Sequence, residues 1–446
     1  MEQTKQDFFG TESIGRILWK IAPPVMLGQL ILALYNIVDS FFLGRYADDA
    51  LTAVTVIYPL QNIIVSLAVG TGVGVNTYMA RKYARGETEK AKEAAGTGML
   101  LAILSYGIFA GVSTFLLRPY VMLSAKEPGA VADAITYGRI VCIGSLFTFL
   151  EGIFTKVHQA GGQMRLPMVA QVAGALTNVI FDPLLIFGIG PFPELGIAGA
   201  AYATVAGQFM SALITGFGGM HRIPRLHKLR HNIGRIYFYG YSSILMQALY
   251  SVYIVVLNAI LAGFSDAAVT VLGLYYKAQS FFFIPLIGLQ TCIVPVISFN
   301  YARANYGRCR ETMRKSLFVT VLCMSVGILC FLVFPEALMR LFSKSEQVLQ
   351  IGKVAFPIIG CSFISASFSL MLPVFFQAIG RGGSSTLIIL TRQIFVMIPV
   401  FYAFSRIGLN ATWFAFPIAE TAAGGLGLLL YFHQIHKWKM QSSPQI

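Results

Sequence analysis

Residues 178–188 read NVIFDPLLIFG, an apolar stretch that carries one carboxylate, Asp182, followed directly by Pro183. A second stretch of the same character, LYNIVDSFFLG at residues 34–44, carries Asp39. Each belongs to an apolar run of about 20 residues or more, which is enough for a helix to cross a ~30 Å hydrocarbon layer. The two stretches therefore predict membrane-spanning helices, each with an acid inside.

Similar apolar runs recur along the whole chain. Of its 446 residues, 56% are hydrophobic and only 12% are charged, and the mean hydropathy is +0.70. A soluble globular chain would carry about twice that charged fraction. The sequence thus predicts an all-α polytopic membrane protein with twelve transmembrane helices. The predicted spans are 14–44, 50–80, 94–117, 131–155, 166–188, 196–219, 236–262, 267–300, 316–334, 346–376, 384–405 and 409–434.

Basic residues concentrate in alternate connections between these spans. One side collects residues 81–85, the central loop 220–235 and residues 303–315, and Arg381 and Arg392 are assigned to the same side. Because Lys and Arg accumulate in cytoplasmic loops, this side and both termini are predicted to face the cytoplasm. The net charge of +14 is then a topology signal, and no nucleic-acid partner is expected.

The second half of the chain echoes the first. YMARKYARG at 78–86 returns as NYARANYGR at 300–308, and HQAGG at 158–162 returns as FQAIG at 376–380. Such parallel repeats predict two six-helix lobes related by a pseudo-two-fold axis along the membrane normal, with a cleft between them. The predicted parts are an N-lobe, a cytoplasmic linker and a C-lobe, at residues 1–219, 220–235 and 236–446.

The polar residues inside the first-lobe spans fall in one layer. At ~1.5 Å per residue, Asp39 lies about 7 Å, Asp182 about 9 Å and Thr204 about 12 Å below the outer surface. Asn178 and Asn36 each precede one of the acids by about one helical turn. A charge within the bilayer costs roughly 2.5–3.5 kcal/mol, so it usually has a role. The layer could bind a proton or a small cation such as Na⁺, although each acid could also only brace its helix.

Other intramembrane residues are weaker candidates. Pro23 and Pro24 predict a bend early in span 1, and Pro183 removes a backbone hydrogen bond from span 5 and frees a carbonyl. Lys277 and Glu420 are the ionisable candidates of the second half. For Lys277, a role in the cleft and a structural role both stay open.

Enzyme signatures are missing from the sequence. VGTGVGVN at 69–76 imitates a phosphate loop, but no Lys-Ser/Thr follows, and close packing of small residues explains the glycines better. No HExxH, GxSxG or Cys/His cluster occurs, so neither catalysis nor a bound cofactor is expected.

Four motifs carry a family resemblance. LYNIVDSFFLGRY (34–46), QAGGQMRLP (159–167), TNVIFDP (177–183) and GIAGAAYAT (196–204) resemble the multidrug and toxic compound extrusion (MATE) transporters. Within that family the chain is most similar to the bacterial DinF-like and MepA-like branch.

The resemblance implies an antiporter that exports lipophilic or cationic small molecules in exchange for H⁺ or Na⁺ by alternating access. It implies a cation-coupling site, a substrate-side tyrosine and a hinge. These are Asp39, Asn178, Asp182 and Thr204 for the site, Tyr35 for the substrate side and Pro24 for the hinge. Beside the resemblance, the residues themselves make Asn36 a further cleft candidate and Pro183 a further hinge candidate. The acids that the NorM-like branch has in spans 7 and 10 are missing here, so a second-lobe sodium site of that kind is not expected.

Other functions fit the sequence less well. A flippase for lipid-linked sugars or peptidoglycan precursors would share the architecture, but it would need a cationic cleft, and Lys277 is the main candidate for one. A channel or a receptor does not require a duplication with acids in one half. A monomer that binds small-molecule drugs in the lipid bilayer is the expected state.

Overall fold

The computed structural model describes residues 8–46, 48–124, 128–340 and 345–442, and helices dominate this part of the chain. Within these ranges, ten helices are each long and apolar enough to cross a membrane, and the number rises to twelve if each of two bent helix pairs counts as one span. The predicted all-α polytopic architecture is therefore confirmed, with up to twelve spans.

We number the spans 1 to 12 along the chain. Spans 1 to 6 are Ile14–Tyr46, Asp48–Ala84, Thr88–Ser124, Pro128–Gly144 with Leu146–Ala160, Arg165–Ile186 and Ile197–Gly219. Spans 7 to 12 are Leu226–Ala262, Asp266–Phe282 with Ile284–Ala302, Tyr306–Val333, Glu346–Gly360 with Phe363–Ala378, Gly382–Ser405 and Ala415–Ser442. Among the described residues, three short helices lie outside these spans, at Phe8–Thr11, Pro335–Arg340 and Leu409–Thr412.

Spans 4 and 10 are each bent in the middle, by 43° and 54°. A serine stands at each bend and donates its hydroxyl to a backbone carbonyl three residues earlier. Ser145 donates to Cys142 at 2.7 Å, and Ser362 donates to Ile359 at 2.6 Å. Such local side-chain bonds compete with the helical hydrogen bonds and favour a bend.

The chain forms two compact units. Most of the first is Lys20–Ile244, and the second comprises Phe9–Trp19 and Leu245–Ile446. The division between them falls within the helix of span 7, Leu226–Ala262. The predicted boundaries of the transport lobes, with an N-lobe at 1–219, a linker at 220–235 and a C-lobe at 236–446, stay a prediction.

In the first unit, one apolar core gathers residues from all six of the first spans. It contains Leu43, Ile57, Tyr137, Ile186 and Ala200, all of them buried. Ile186 follows Asp182 by one helical turn, so the core fixes the part of span 5 that carries this acid. Asp182 therefore belongs to the packed interior of the unit.

The glycines of residues 69–76 serve helix packing. A Cβ at Gly74 would come within 2.2 Å of the carbonyl oxygen of Ile236 and 3.2 Å of the Cα of Gly240. Spans 2 and 7 thus approach backbone to backbone, as small residues allow in membrane proteins. The interpretation of this motif as a packing element, and not a phosphate loop, is confirmed.

Candidate functional site

Span 5 presents two polar side chains to the interior of the first unit. Asp182 is fully buried and Asn178, one turn earlier, is 3% exposed. The Asn178 amide donates to Asp182 Oδ2 at 3.3 Å in the orientation that also lets its oxygen accept from the backbone N–H of Thr204 at 3.2 Å. Asn178 thereby connects the acid of span 5 to the backbone of span 6.

Glycine makes this connection possible. A Cβ at Gly207 would lie 2.6 Å from the carbonyl oxygen of Gly174 and 3.2 Å from the Cβ of Asn178. Because neither glycine carries a side chain, spans 5 and 6 pack closely enough for the Thr204 backbone to reach Asn178.

Asp39 of span 1 completes a pair of acids. It is partly buried, and its carboxyl group lies within hydrogen-bonding reach of the Asp182 carboxyl group. Its Oδ1 atom is enclosed and has no hydrogen-bond partner among the described residues. A hydrogen bond between two carboxyl groups needs a proton, and two carboxylates at this separation repel each other unless a cation lies between them. Two carboxyl groups in this arrangement can accept a proton or a small cation between them.

The structure adds two residues that the sequence reasoning missed. Tyr137 of span 4 is buried, and its hydroxyl group lies near the Thr204 side chain and close enough to Asp39 to interact with its charge. Gln61 of span 2 donates its amide to the same hydroxyl group at 3.4 Å. In sequence, a tyrosine or a glutamine in an apolar run is too common to indicate a site.

The structure describes the remaining candidates of the first half to different extents. Tyr35 is partly buried and lies within electrostatic range of both Asp39 and Asp182. The side chain of Asn36 lies outside the described part of the structure. Pro24 lies within the helix Ile14–Tyr46 and Pro183 within Arg165–Ile186, so their hinge roles stay predictions.

The four side chains predicted for cation coupling all offer oxygen atoms. Asp39, Asn178 and Asp182 lie together, and Thr204 joins them through its backbone N–H and through Tyr137. Among the residues that the structure describes, no group of three or more His, Cys, Asp or Glu side chains could hold a metal ion. The donor set suits a proton or a hard monovalent cation such as Na⁺, which carboxyl and amide oxygens bind in transporters.

The second unit contains a buried ion pair. Arg392 donates from Nε and Nη2 to Oε1 of Glu420, at 2.9 Å and 2.7 Å, and both side chains are almost fully buried. Ser369 donates its hydroxyl to the other carboxylate oxygen. Glu420, predicted as a candidate for the cleft, is therefore a paired and well-bonded acid.

This pair corrects the assignment of Arg392 to a basic loop, which was wrong. Arg392 lies in a π-helical turn, Thr391–Met397, in the middle of span 11. π-Helical turns occur often at functional sites. A guanidinium can stay inside the membrane here because Glu420 neutralises it, and only the fold brings spans 11 and 12 together at this point.

A line of tyrosines extends from the ion pair. Tyr253 lies beside Arg392, and the hydroxyl group of Tyr276 donates to that of Tyr253 at 3.2 Å. Lys277 follows Tyr276 directly but is exposed, and it forms no ion pair within the described ranges. Its predicted role in the cleft stays a prediction, as does that of Glu420.

Comparisons with known proteins place the chain among transporters. The sequence model described as MatE matches it twice, at residues 24–184 and 242–403. The chain is 25% identical to the FAD transporter of Shewanella oneidensis, over 92% of this chain and 93% of that protein. It is 22% identical to the multidrug export protein MepA of Staphylococcus aureus, over 97% and 96% of the two chains. Among solved structures, a MOP superfamily transporter from Pyrococcus furiosus matches with a TM-score of 0.90 and 21% identity, over 97% and 98% of the two chains.

Proposed function

The chain belongs to the MatE family, and from this premise we propose that it is a secondary antiporter that exports lipophilic, mostly cationic small molecules in exchange for a cation. Membership confirms the resemblance seen in the sequence, and it makes the protein a multi-pass membrane transporter and not an enzyme. The exchange mechanism, the coupling ion and the cargo are our proposal.

The observation that carries this proposal is the carboxyl pair of Asp39 and Asp182. The two groups lie within hydrogen-bonding reach in the interior of one unit, and one oxygen of Asp39 has no partner among the described residues. A pair of this kind changes its interactions when a cation arrives or leaves. The pair could share either a proton or a hard cation such as Na⁺, and we propose H⁺ as the coupling ion because a proton lets the two groups share a hydrogen bond.

The pair could couple cation binding to conformation through its neighbours. When the proton leaves, the two carboxylates repel each other, and the hydrogen bonds of Asn178 and Tyr137 must adjust to the new charge. Transport follows if the protonated and the deprotonated sites stabilise different conformations, and if the cargo binds better to the deprotonated one. Coupling between two such ligands is typically about 1–3 kcal/mol and acts equally in both directions.

Reconstitution into liposomes tests the proposal directly. The purified full-length protein is exposed to an imposed pH gradient or, separately, an imposed Na⁺ gradient, and the movement of ethidium is followed by fluorescence. We expect ethidium to move in the direction opposite to the proton flow. Protein-free liposomes are the control. Movement under a Na⁺ gradient alone would assign the coupling to Na⁺, and movement that ignores both gradients would contradict antiport.

A second cargo class has one observation in its favour. The relative with 25% identity is described as an FAD transporter, and FAD is an aromatic molecule with two phosphates. The same liposomes loaded with FAD give the test. Gradient-driven FAD release without ethidium movement would identify FAD, and not a lipophilic cation, as the cargo. Ethidium movement without FAD release would exclude FAD.

We also propose a monomer in the inner membrane of a bacterium, with both termini in the cytoplasm. The bias of basic residues toward the loops around 81–85, 220–235 and 303–315 supports this orientation even without Arg392. A reporter fused to the C-terminus that functions only in the cytoplasm tests it, and activity of a periplasm-dependent reporter would contradict it.

A further inference from the structure

A basic groove lies at one end of the first unit, away from the carboxyl pair. It is formed by the last turns of span 2, at residues 78–85, and by the first turns of span 7, at residues 227–239. Two adjoining cavities make up the groove, of about 550 Å³ and 160 Å³, and both are lined by His231 and Arg235. In the described part of the chain, neither lining includes an acidic residue.

Several cations of the groove are not neutralised. Lys82 pairs with Glu87 at 2.9 Å. The Glu87 carboxyl group bonds with both Lys90 and Lys82, and these bonds lower its pKa to about 2. By contrast, Arg85, Arg230 and Arg235 are exposed and have no acidic partner within the described residues. Three guanidinium groups therefore face one groove without an acidic side chain in ion-pair range among the described residues.

Aromatic rings hold the inner wall of the groove in place. The guanidinium of Arg81 lies over the ring of Tyr239 at 4.6 Å and donates to its hydroxyl group at 3.4 Å. Tyr239 also stacks with Tyr78, whose hydroxyl group donates to the buried Asn232 at 3.5 Å. The wall is thus arranged before any anion binds, which reduces the ordering cost of binding.

One edge of the groove is apolar. Phe238 lines the larger cavity and is 53% exposed, one helical turn beyond the exposed Gly234 of the same lining. A free phosphate would contact only the guanidinium groups, whereas a phospholipid would place its headgroup on them and its acyl chains along Phe238. Basic pockets between transmembrane helices on the cytoplasmic side are a known form of anionic-lipid recognition.

We propose that this groove binds the headgroup phosphate of an anionic phospholipid. Arg230 and Arg235 hold the phosphate oxygens by charge-assisted hydrogen bonds, in the paired geometry that guanidinium groups offer. The site is separate from the carboxyl pair, so it would exist whatever the protein transports.

Native mass spectrometry of the detergent-solubilised full-length protein, titrated with phosphatidylglycerol, tests the proposal. Arg230→Gln/Arg235→Gln should weaken phosphatidylglycerol binding by about tenfold to thirtyfold, since each basic residue near a lipid surface contributes about 1 kcal/mol. Arg230→Lys/Arg235→Lys should retain most of the binding because it keeps both charges.

Arg222→Gln/Arg225→Gln is the matched control, since it removes the same charge just before span 7 without touching either lining. It should change the affinity by less than about threefold. Equal losses in both double variants, or unchanged binding in the groove variant, would overturn the proposal.

Two further arms identify the source of the phosphate. Phosphatidylcholine should bind much more weakly than phosphatidylglycerol, and inorganic phosphate at low millimolar concentration should not displace phosphatidylglycerol. Displacement by inorganic phosphate would make the groove a free-phosphate site and overturn the assignment to lipid. The four arginines named for substitution, two in the groove and two outside it, are all exposed. A thermal unfolding curve of each variant verifies that it is folded.

Discussion

The guanidinium of Arg392 and the carboxylate of Glu420 meet at 2.7 Å in the interior of the second unit, one from span 11 and the other from span 12. Both are almost fully buried, and the carboxylate also accepts from Ser369. A buried charge of this kind is neutralised only while its partner is present. Each member of the pair therefore owes its place in the apolar interior mainly to the other.

Removing one member of this pair should be much worse than removing both. Glu420→Leu leaves Arg392 charged in an apolar interior and should cost about 3–5 kcal/mol of unfolding free energy. Arg392→Met/Glu420→Leu should recover most of that loss, because no charge is left unpaired. Thermal unfolding in detergent measures both, with Glu346→Gln as an exposed control. A double variant as unstable as the single one would contradict a simple charge pair.

Asp39→Asn and Asp182→Asn should each abolish gradient-driven export. Asparagine has nearly the same shape, so the packing around residues 39 and 182 should persist, but it cannot take up or release the proton that we propose as the coupling ion. Ethidium transport in liposomes measures the effect, and thermal unfolding verifies the fold. Asp266→Asn, at the exposed start of span 8, is the control and should transport normally. Normal export by both site variants would remove these acids from the mechanism.

Much of the fold was predictable because a few simple rules, apolar length and the rise per residue, govern membrane helices. Long apolar runs give the spans, and the depth of Asp39 and Asp182 along their helices placed the two acids in one layer, which the structure brings within hydrogen-bonding reach. Depth depends only on the rise of 1.5 Å per residue, so it can be read without knowing how the helices pack.

What escaped prediction depends on rotation and on neighbours. Whether Tyr137 faces lipid or Asp39 depends on how span 4 turns about its axis, and an apolar run does not encode that angle. Arg392 was counted with the cytoplasmic charges, although the predicted span 384–405 contains it. Its partner Glu420 lies 28 residues away, and only the packed structure pairs them.

Tyr137→Phe should reduce coupled transport severalfold with little change in stability. The substitution removes the hydroxyl group that joins Thr204 and Gln61 beside Asp39, at a cost of about 0.5–1.5 kcal/mol for a typical hydrogen bond. The measurement is the ethidium flux at several imposed pH gradients.

Tyr120→Phe is a matched control for this tyrosine. Tyr120 donates to the backbone oxygen of Val56 at 2.8 Å, in the same unit. It should lose a similar amount of stability and keep its flux. Equal flux losses in the two variants would show that Tyr137 acts only through stability.

Gly207→Ala should separate spans 5 and 6 and disable the site without changing a polar residue. The added methyl would meet the carbonyl oxygen of Gly174 at 2.6 Å, and overpacking of this kind costs about 1–3 kcal/mol. As the helices part, the amide of Asn178 loses the backbone N–H of Thr204, so coupled flux should fall more than the stability loss explains. Gly107→Ala is the control, since a Cβ there meets nothing within 4 Å and should leave both flux and unfolding temperature unchanged. Wild-type flux in Gly207→Ala would mean that the close approach of spans 5 and 6 does not set the geometry of the acids.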